Sequence, residues 1–253
     1  PDNSLLAFGC TDETARIISI GDQKELVRFD NHSDWVLGTV FTTDGSHFVT
    51  GARDTALKLT EVKSGSFVDD INASNKGSGP IHKIARHPKL DQVLSGGEDR
   101  IPRLYRIFRQ KRRDVGNTDF NLIRAFERQS DVITAIAFNA DGSQIAVGAV
   151  GGEVRIYKVA DGNRIATLNA DSTAVFAIAF HPEKDQVATG GFDGQIRIFN
   201  PNTGNLIKEF IPVPLDSVLT GAKKTGKKVE IAREKDNGVE ATTEIKLAVS
   251  GMT

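Results

Sequence analysis

Short runs of alternating hydrophobic and polar residues cover most of this chain, and turn-forming residues separate the runs. A stretch in the second half shows the pattern clearly, with the runs VITAIAF, SQIAVGA, EVRIYKV and RIATL separated by the turns NADG, VGG and ADGN. Alternation with a period of two predicts β-strands, and Asp-Gly turns predict tight antiparallel connections. The pattern therefore predicts units of four antiparallel strands.

The same unit recurs along the chain. Five segments that begin with glycine align without gaps: GCTDETARII, GARDTALKLT, GGEDRIPRLY, GAVGGEVRIY and GGFDGQIRIF. They recur about every 42 residues, close to the roughly 40–45 residues of a β-propeller blade. An insertion around residues 109–120 accounts for one longer interval. Four complete units follow a first unit that lacks its innermost strand.

From residue 5 to residue 215 these units resemble WD repeats, although the Trp-Asp signature is degraded. His32, Thr50 and Asp54 in the second unit match the hydrogen-bonded His–Ser/Thr–Asp set of that family. The resemblance implies an all-β fold, a WD-repeat β-propeller of four-stranded antiparallel blades. About five blades are present, and the family usually closes a ring of seven. We therefore expect a fragment with about two blades missing upstream of Pro1.

Three segments also resemble the propeller domains of large bacterial proteins of the planctomycete and verrucomicrobial type. These segments are TGARDTALKLTEV, RIFRQKRRDVGNTDFNLIRAF and GGFDGQIRIFNPNTGNLIKEFIPVPL. Such proteins carry c-type cytochrome and Ig-like domains beside the propeller. This resemblance implies a bacterial protein in the periplasm or exported, whereas a cytoplasmic protein is expected if it does not hold. The haem attachment motif is absent from this chain, whose one cysteine is Cys10.

The sequence changes character after Leu215. We predict an incomplete propeller over residues 1–215 and, over residues 216–253, a tail or the start of a second β domain, possibly Ig-like. A formal net charge of −1 gives no global attraction to nucleic acid. The chain has no apolar run of about 18 residues, so we expect no membrane span.

The chemistry-bearing residues of the repeat turns favour a structural role. Asp12, Asp54, Asp99 and Asp193 recur once per unit, whereas an active site needs a few residues in one place. We predict that these aspartates accept turn N–H bonds, with His32 and Thr50 bonded to Asp54. We also predict that Asp54→Ala costs more stability than Asp193→Ala, because the fifth unit has no equivalent histidine.

The sequence contains no complete cofactor or metal motif, so we predict no cofactor and no metal. His87-Pro88 and His181-Pro182 occupy the same turn of two units, which indicates repeat structure and not a metal site. GAKKTGKK matches a phosphate loop, but Lys228 stands where Ser or Thr should hold Mg²⁺.

A basic cluster lies beside and within the insertion. Its members are Arg103, Arg106, Arg109, Lys111, Arg112 and Arg113. Such a cluster is most often a solvated loop, and its functional alternatives are an acidic protein surface and, less favoured, nucleic acid.

These observations predict a non-catalytic protein-interaction scaffold with protein partners of unknown identity. The alternative is an accessory propeller of a multidomain c-type cytochrome protein, which orients a redox domain encoded outside this sequence. An enzyme that uses the central pocket is a third possibility, but the inner strands carry mostly Ala, Thr and Ile. No small-molecule substrate is evident.

Overall fold

A computed structural model describes residues 3–73, 79–110, 121–170 and 174–212. The chain divides into two compact units, the first Pro1–Phe210 and the second Ile211–Thr253. All of the described strands lie in the first unit. The predicted tail or second β domain at residues 216–253 lies outside the described residues and stays a prediction.

The described residues form nineteen β-strands and no helix, because short alternating runs separated by turn residues leave no apolar stripe with helical spacing. The strands are β1 (Leu5–Gly9), β2 (Ala15–Ser19), β3 (Glu25–Phe29), β4 (Val36–Phe41), β5 (His47–Ala52), β6 (Leu57–Glu61), β7 (Phe67–Asp70), β8 (Ile81–Arg86), β9 (Gln92–Gly97), β10 (Arg103–Arg106), β11 (Leu122–Ala125), β12 (Ile133–Phe138), β13 (Gln144–Ala149), β14 (Glu153–Lys158), β15 (Arg164–Asn169), β16 (Val175–Phe180), β17 (Val187–Gly191), β18 (Ile196–Phe199) and β19 (Leu206–Phe210). The described residues therefore include no helix that could cross a membrane.

The strands form five antiparallel sheets, each with its strands in chain order. The first sheet has three described strands, β1 to β3, and each of the other four has four strands. Gly9 at the end of β1 corresponds to Gly51 at the end of the second strand of the next sheet. The described residues of the first repeat therefore form no inner strand, as the repeat alignment predicts. The all-β propeller fold is confirmed.

The four complete sheets share one irregularity of register. In each, the pairing of the first and second strands shifts after the first residue, at Val36/Gly38, Ile81/Lys83, Ile133/Ala135 and Val175/Ala177. A bulge at the same place bends each inner strand in the same way. Residues aligned by the repeat are therefore structurally equivalent.

The sheets pack around their first strands. β4 packs against β8, β8 against β12, and β12 against β16, which is the radial arrangement of propeller blades. Apolar residues from two neighbouring sheets build each core cluster, so the core lies between blades. In the cluster between the fourth and fifth sheets, for example, Val154 and Ile156 meet Val187 and Phe199.

Within the described ranges, only the fourth sheet packs against the fifth. Every residue of β13 in the fourth sheet is buried or half-buried, because sheets pack on both of its faces. All five residues of β19 are exposed, and Phe176 on β16 is about half exposed. Apolar side chains on the far face of the fifth sheet are therefore exposed.

Candidate functional site

The turns after the second strands and the segments that join successive sheets lie at the same end of the sheets. Four equivalent backbone bonds tie them together, from Arg53 N to Trp35 O (2.9 Å), Glu98 N to Pro80 O (3.0 Å), Val150 N to Val132 O (3.0 Å) and Phe192 N to Ala174 O (3.0 Å). We call this end of the sheets the turn face. It comprises residues 10–14, 30–35, 53–56, 71–73, 79–80, 98–102, 126–132, 150–152, 170, 174 and 192–195.

The structure brings His32, Thr50 and Asp54 together on the turn face. His32 Nδ1 lies 2.8 Å from Asp54 Oδ2, and His32 Nε2 lies 2.6 Å from Thr50 Oγ1. The Asp54 carboxylate also accepts bonds from Ser33 N (3.1 Å) and Ala56 N (3.0 Å). This set ties the segment before β4 to the β5–β6 turn.

Two opposing effects act on the pKa of Asp54. Burial raises this pKa, but the hydrogen bonds from His32 and Ala56 and the field of the His32 ring outweigh burial. The pKa of Asp54 therefore lies below its usual value, and the ionised carboxylate accepts the Nδ1–H of His32.

The other turn aspartates have a different partner. Asp12, Asp99 and Asp193 each accept a turn N–H two residues on and pair with an arginine four residues on. The arginines are Arg16, Arg103 and Arg197. The sequence prediction included the N–H bonds but not these ion pairs. In the second sheet Lys58 bonds Asp70 at 3.1 Å instead, because the Asp54 carboxylate already faces His32.

The fourth sheet fills the position of His32 differently. Gln129 lies four residues before β12, as His32 does before β4, and its Nε2 donates to the Tyr157 hydroxyl at 2.7 Å. Gln129 is almost completely buried. Sequence reasoning missed this pair, although the offset of four residues from the first strand is a signal that could have found it.

The third sheet has a small cavity at the corresponding place. Ser95, equivalent to Thr50, and Asp99, equivalent to Asp54, line it together with Arg103 and Tyr105. The residue equivalent to His32 in this sheet, at position 77, lies outside the described residues.

The basic cluster is divided between two ends of a sheet. Arg103 begins β10 and pairs with Asp99 on the turn face, whereas Arg109 follows the other end of β10 and pairs with Asp69 of the second sheet. Arg106 ends β10 and is half-buried. Lys111, Arg112 and Arg113 lie outside the described residues. Near Arg109, Phe108 packs edge-on against His47, with 5.1 Å between ring centroids.

The predicted structural residues include no candidate for metal chemistry. Within the described ranges, no three His, Cys, Asp or Glu side chains are grouped so that they could hold a metal ion. His87 and His181 instead each accept two turn N–H bonds at Nδ1, all at 3.1 Å. Both histidines therefore hold the turn in which they lie.

Comparison with known proteins places the chain among eukaryotic relatives. It is 23% identical to the small ribosomal subunit protein RACK1y of Oryza sativa subsp. japonica over 160 residues, 63% of this chain and 45% of the relative. It is 26% identical to eukaryotic translation initiation factor 3 subunit I of Bombyx mori over 167 residues, 60% of this chain and 49% of the relative. The pre-mRNA-processing factor 19 of Oryza sativa subsp. japonica is 23% identical over 159 residues, 62% of this chain and 28% of the relative.

The chain spans less than half the length of each of these relatives. They support the WD-repeat assignment but not a bacterial source or a link to cytochromes. The family model described as Nucleolar protein 10-like, N-terminal domain, a β-propeller, matches residues 36–226, well over half of the 253 residues. The chain therefore belongs to the Nucleolar protein 10-like, N-terminal domain family of β-propellers.

Proposed function

We propose that this chain is a non-catalytic scaffold that binds other proteins through its turn face. The observation that carries the proposal is the combination of rigid sheets with turns that hydrogen bonds hold in place. The His32 set and the Asp–Arg pairs fix the backbone of the turns, while neighbouring side chains stay exposed. Loops held by a rigid scaffold are the usual location of binding residues.

The names of two relatives support this proposal. One is a small ribosomal subunit protein, and another is a subunit of an initiation factor. Both names describe components of larger assemblies. Membership in such an assembly is a property that a binding scaffold of this fold would share, whereas its particular partner differs from protein to protein.

A second contact lies at the rim, where the basic cluster would meet an acidic protein surface. Arg103 and Arg109 already have acidic partners within the chain, so this contact depends on Arg106 and on the three basic residues at 111–113. The net charge of −1 makes a protein the preferred partner over nucleic acid.

The alternative function is an accessory propeller that orients a c-type cytochrome domain. It rests on the sequence resemblance alone, and it carries the bacterial, periplasmic or exported location with it. A cytoplasmic location accompanies the scaffold proposal without the cytochrome link.

The test is affinity capture with the full chain as bait in extract of the parent organism, followed by chemical cross-linking and identification of the linked residues. The proposal predicts protein partners with cross-links to the turn face or the rim. A variant with Lys111, Arg112 and Arg113 changed to Ser, which leaves the Arg109–Asp69 pair intact, should lose the salt-sensitive part of any rim contact, because exposed charges are screened beyond about 8–10 Å. Absence of any partner above an unrelated bait would contradict the scaffold proposal.

A further inference from the structure

Three large apolar side chains are exposed on the turn face, each next to the first or second strand of its sheet. Trp35 directly precedes β4, whereas Val150 and Phe192 directly follow β13 and β17. Trp35 is 45% exposed, Val150 39% and Phe192 83%. The backbone bonds described above place each one where the first and second strands of its sheet meet the turn face. They therefore lie near the central axis and not on the outer rim.

The exposure of Trp35 and Val150 does not come from the end of the array. The second sheet, which carries Trp35, packs against the first and third sheets. The fourth sheet, which carries Val150, packs against the third and fifth. Trp35 and Val150 thus stay exposed to solvent although described sheets pack on both sides of their own sheets.

Contacts with Arg53 and Asp34 hold Trp35 in place on the turn face. The Arg53 guanidinium lies over its ring at 4.9 Å from the centroid, and Asp34 Oδ1 accepts the Trp35 backbone N–H at 2.7 Å. Tryptophan and arginine are among the residues most enriched at the energetic centres of protein interfaces.

A carboxylate lies next to the apolar side chain in each of the three places. Asp131 repeats the geometry of Asp34, since its Oδ1 accepts the Val132 N–H at 2.7 Å beside Val150. Asp193 follows Phe192, and Glu98 of the third sheet lies between the Trp35 and Val150 sheets. The surface thus alternates apolar side chains with acids.

The turn face as a whole is acidic. With Asp54 and the three Asp–Arg pairs of the repeat turns set aside, six acidic side chains remain against three arginines among its described residues. All nine are exposed or half-buried. The acids are Glu13, Asp30, Asp34, Glu98, Glu127 and Asp131, and the arginines are Arg53, Arg100 and Arg128. Two of these acids already have arginine partners, Glu127 with Arg155 and Arg164 at 3.5 and 3.6 Å and Asp34 with Arg53 at 3.9 Å, which leaves four acids against two arginines.

From this arrangement we infer that the turn face binds a peptide segment that combines large apolar side chains with lysine or arginine. The apolar side chains of the peptide contact Trp35, Val150 and Phe192, and its cations lie against Asp34, Glu98 and Asp131. The inference rests on the proposed scaffold function and assigns its principal contact surface. It differs from the rim cluster, whose charge requires an acidic partner.

The experiment selects random displayed peptides against the immobilised full chain and sequences those that bind. Trp35 is the one tryptophan of the chain, so its fluorescence reports contact at this surface directly. Selected peptides should carry net positive charge with at least one large apolar residue, and they should shift the Trp35 emission to shorter wavelength. Phe192→Ser and Val150→Ser should each weaken binding by about tenfold, as expected for interface anchors.

Two further variants separate charge from fold. Asp34→Asn keeps an oxygen that accepts the Trp35 N–H but removes the charge, so binding should weaken and its salt dependence should decrease. Leu90→Ser changes an equally exposed residue in the β8–β9 turn at the other end of the sheet, and it should bind as the unmodified chain does. Selected peptides that are neutral or acidic, or that bind the Phe192 and Val150 variants unchanged, would overturn the inference. If affinity capture still finds partners that cross-link to the turn face or the rim in that case, the scaffold function stands and only the peptide chemistry assigned to this surface is wrong.

Discussion

The most informative stability test is Asp54→Ala, which removes the acceptor at the centre of the His32 set. The buried Nδ1–H of His32 loses its partner, and the N–H groups of Ser33 and Ala56 lose theirs. A buried donor left without an acceptor costs about 1–3 kcal/mol, and the more exposed of these N–H groups recover part of their bonding from water. We therefore expect a loss of about 2 kcal/mol in the free energy of unfolding.

Urea unfolding measures this loss. With a denaturant dependence of about 1–3 kcal/mol/M, a loss of about 2 kcal/mol lowers the midpoint by roughly 0.7–2 M. His32→Gln should cost less than Asp54→Ala, because the fourth sheet shows that Gln129 is accommodated at the equivalent position. Asp12→Ala is the matched control, since Asp12 occupies the same turn of the first sheet but is exposed and pairs with a partly exposed arginine. Equal midpoints for the Asp12 and Asp54 variants would refute the role of the set.

The structure adds a contact that bears on the expected rank of Asp193→Ala. Sequence reasoning predicts a smaller cost than for Asp54→Ala, because no histidine precedes the fifth sheet. Asp193 pairs at 2.7 Å with Arg197, whose side chain is only 4% exposed, but Arg197 also lies 3.6 Å from Glu209 and keeps that acidic partner when Asp193 is lost. Asp193→Ala should therefore cost more than Asp12→Ala and less than Asp54→Ala in the same titration.

Three further predictions concern a histidine, a turn glycine and an exposed phenylalanine. Burial lowers the pKa of His87 in the folded chain. The stability that neutral His87 contributes is therefore complete above about pH 6.5 and is lost as the pH falls through the lower folded-state pKa. The urea midpoint of His87→Asn should consequently fall less between neutral and acidic pH than the midpoint of the unmodified chain. Gly142→Ala should destabilise the chain more than Gly194→Ala. Both glycines have positive φ, but only a Cβ at position 142 would overlap a side chain, the His87 ring at 2.2 Å. Equal melting temperatures of the two variants would contradict this prediction. Phe176→Ser should reduce self-association of the chain, since Phe176 is about half exposed on the far face of the fifth sheet; a variant that self-associates as much as the unmodified chain would contradict this.

Repeat arithmetic predicts the architecture well because each unit encodes its own strands and turns. Gly51, Asp54 and the alternating runs around them specify a hairpin locally, so aligned units give equivalent structures, including the three-stranded first sheet. His32, Thr50 and Asp54 could be assembled from the sequence because their offsets match those of a known repeat.

Contacts between units could not be predicted in this way. The pairing of Arg109 with Asp69 and the packing of Phe108 on His47 join different sheets, and the position of each partner depends on how the blades pack. The exposure of Trp35 has the same origin. An apolar residue before a strand is usually assigned to the core, and only the packed array shows that Trp35 stays 45% exposed.

The most direct test of the scaffold proposal is hydrogen–deuterium exchange of the full chain, alone and with a partner obtained by affinity capture. The account predicts that binding slows exchange in the turn-face segments around Trp35, Arg53, Val150 and Phe192, while the inner strands β4, β8, β12 and β16 exchange as before. Slower exchange confined to the turns at the other end of the sheets, or no change in exchange on partner binding, would contradict it.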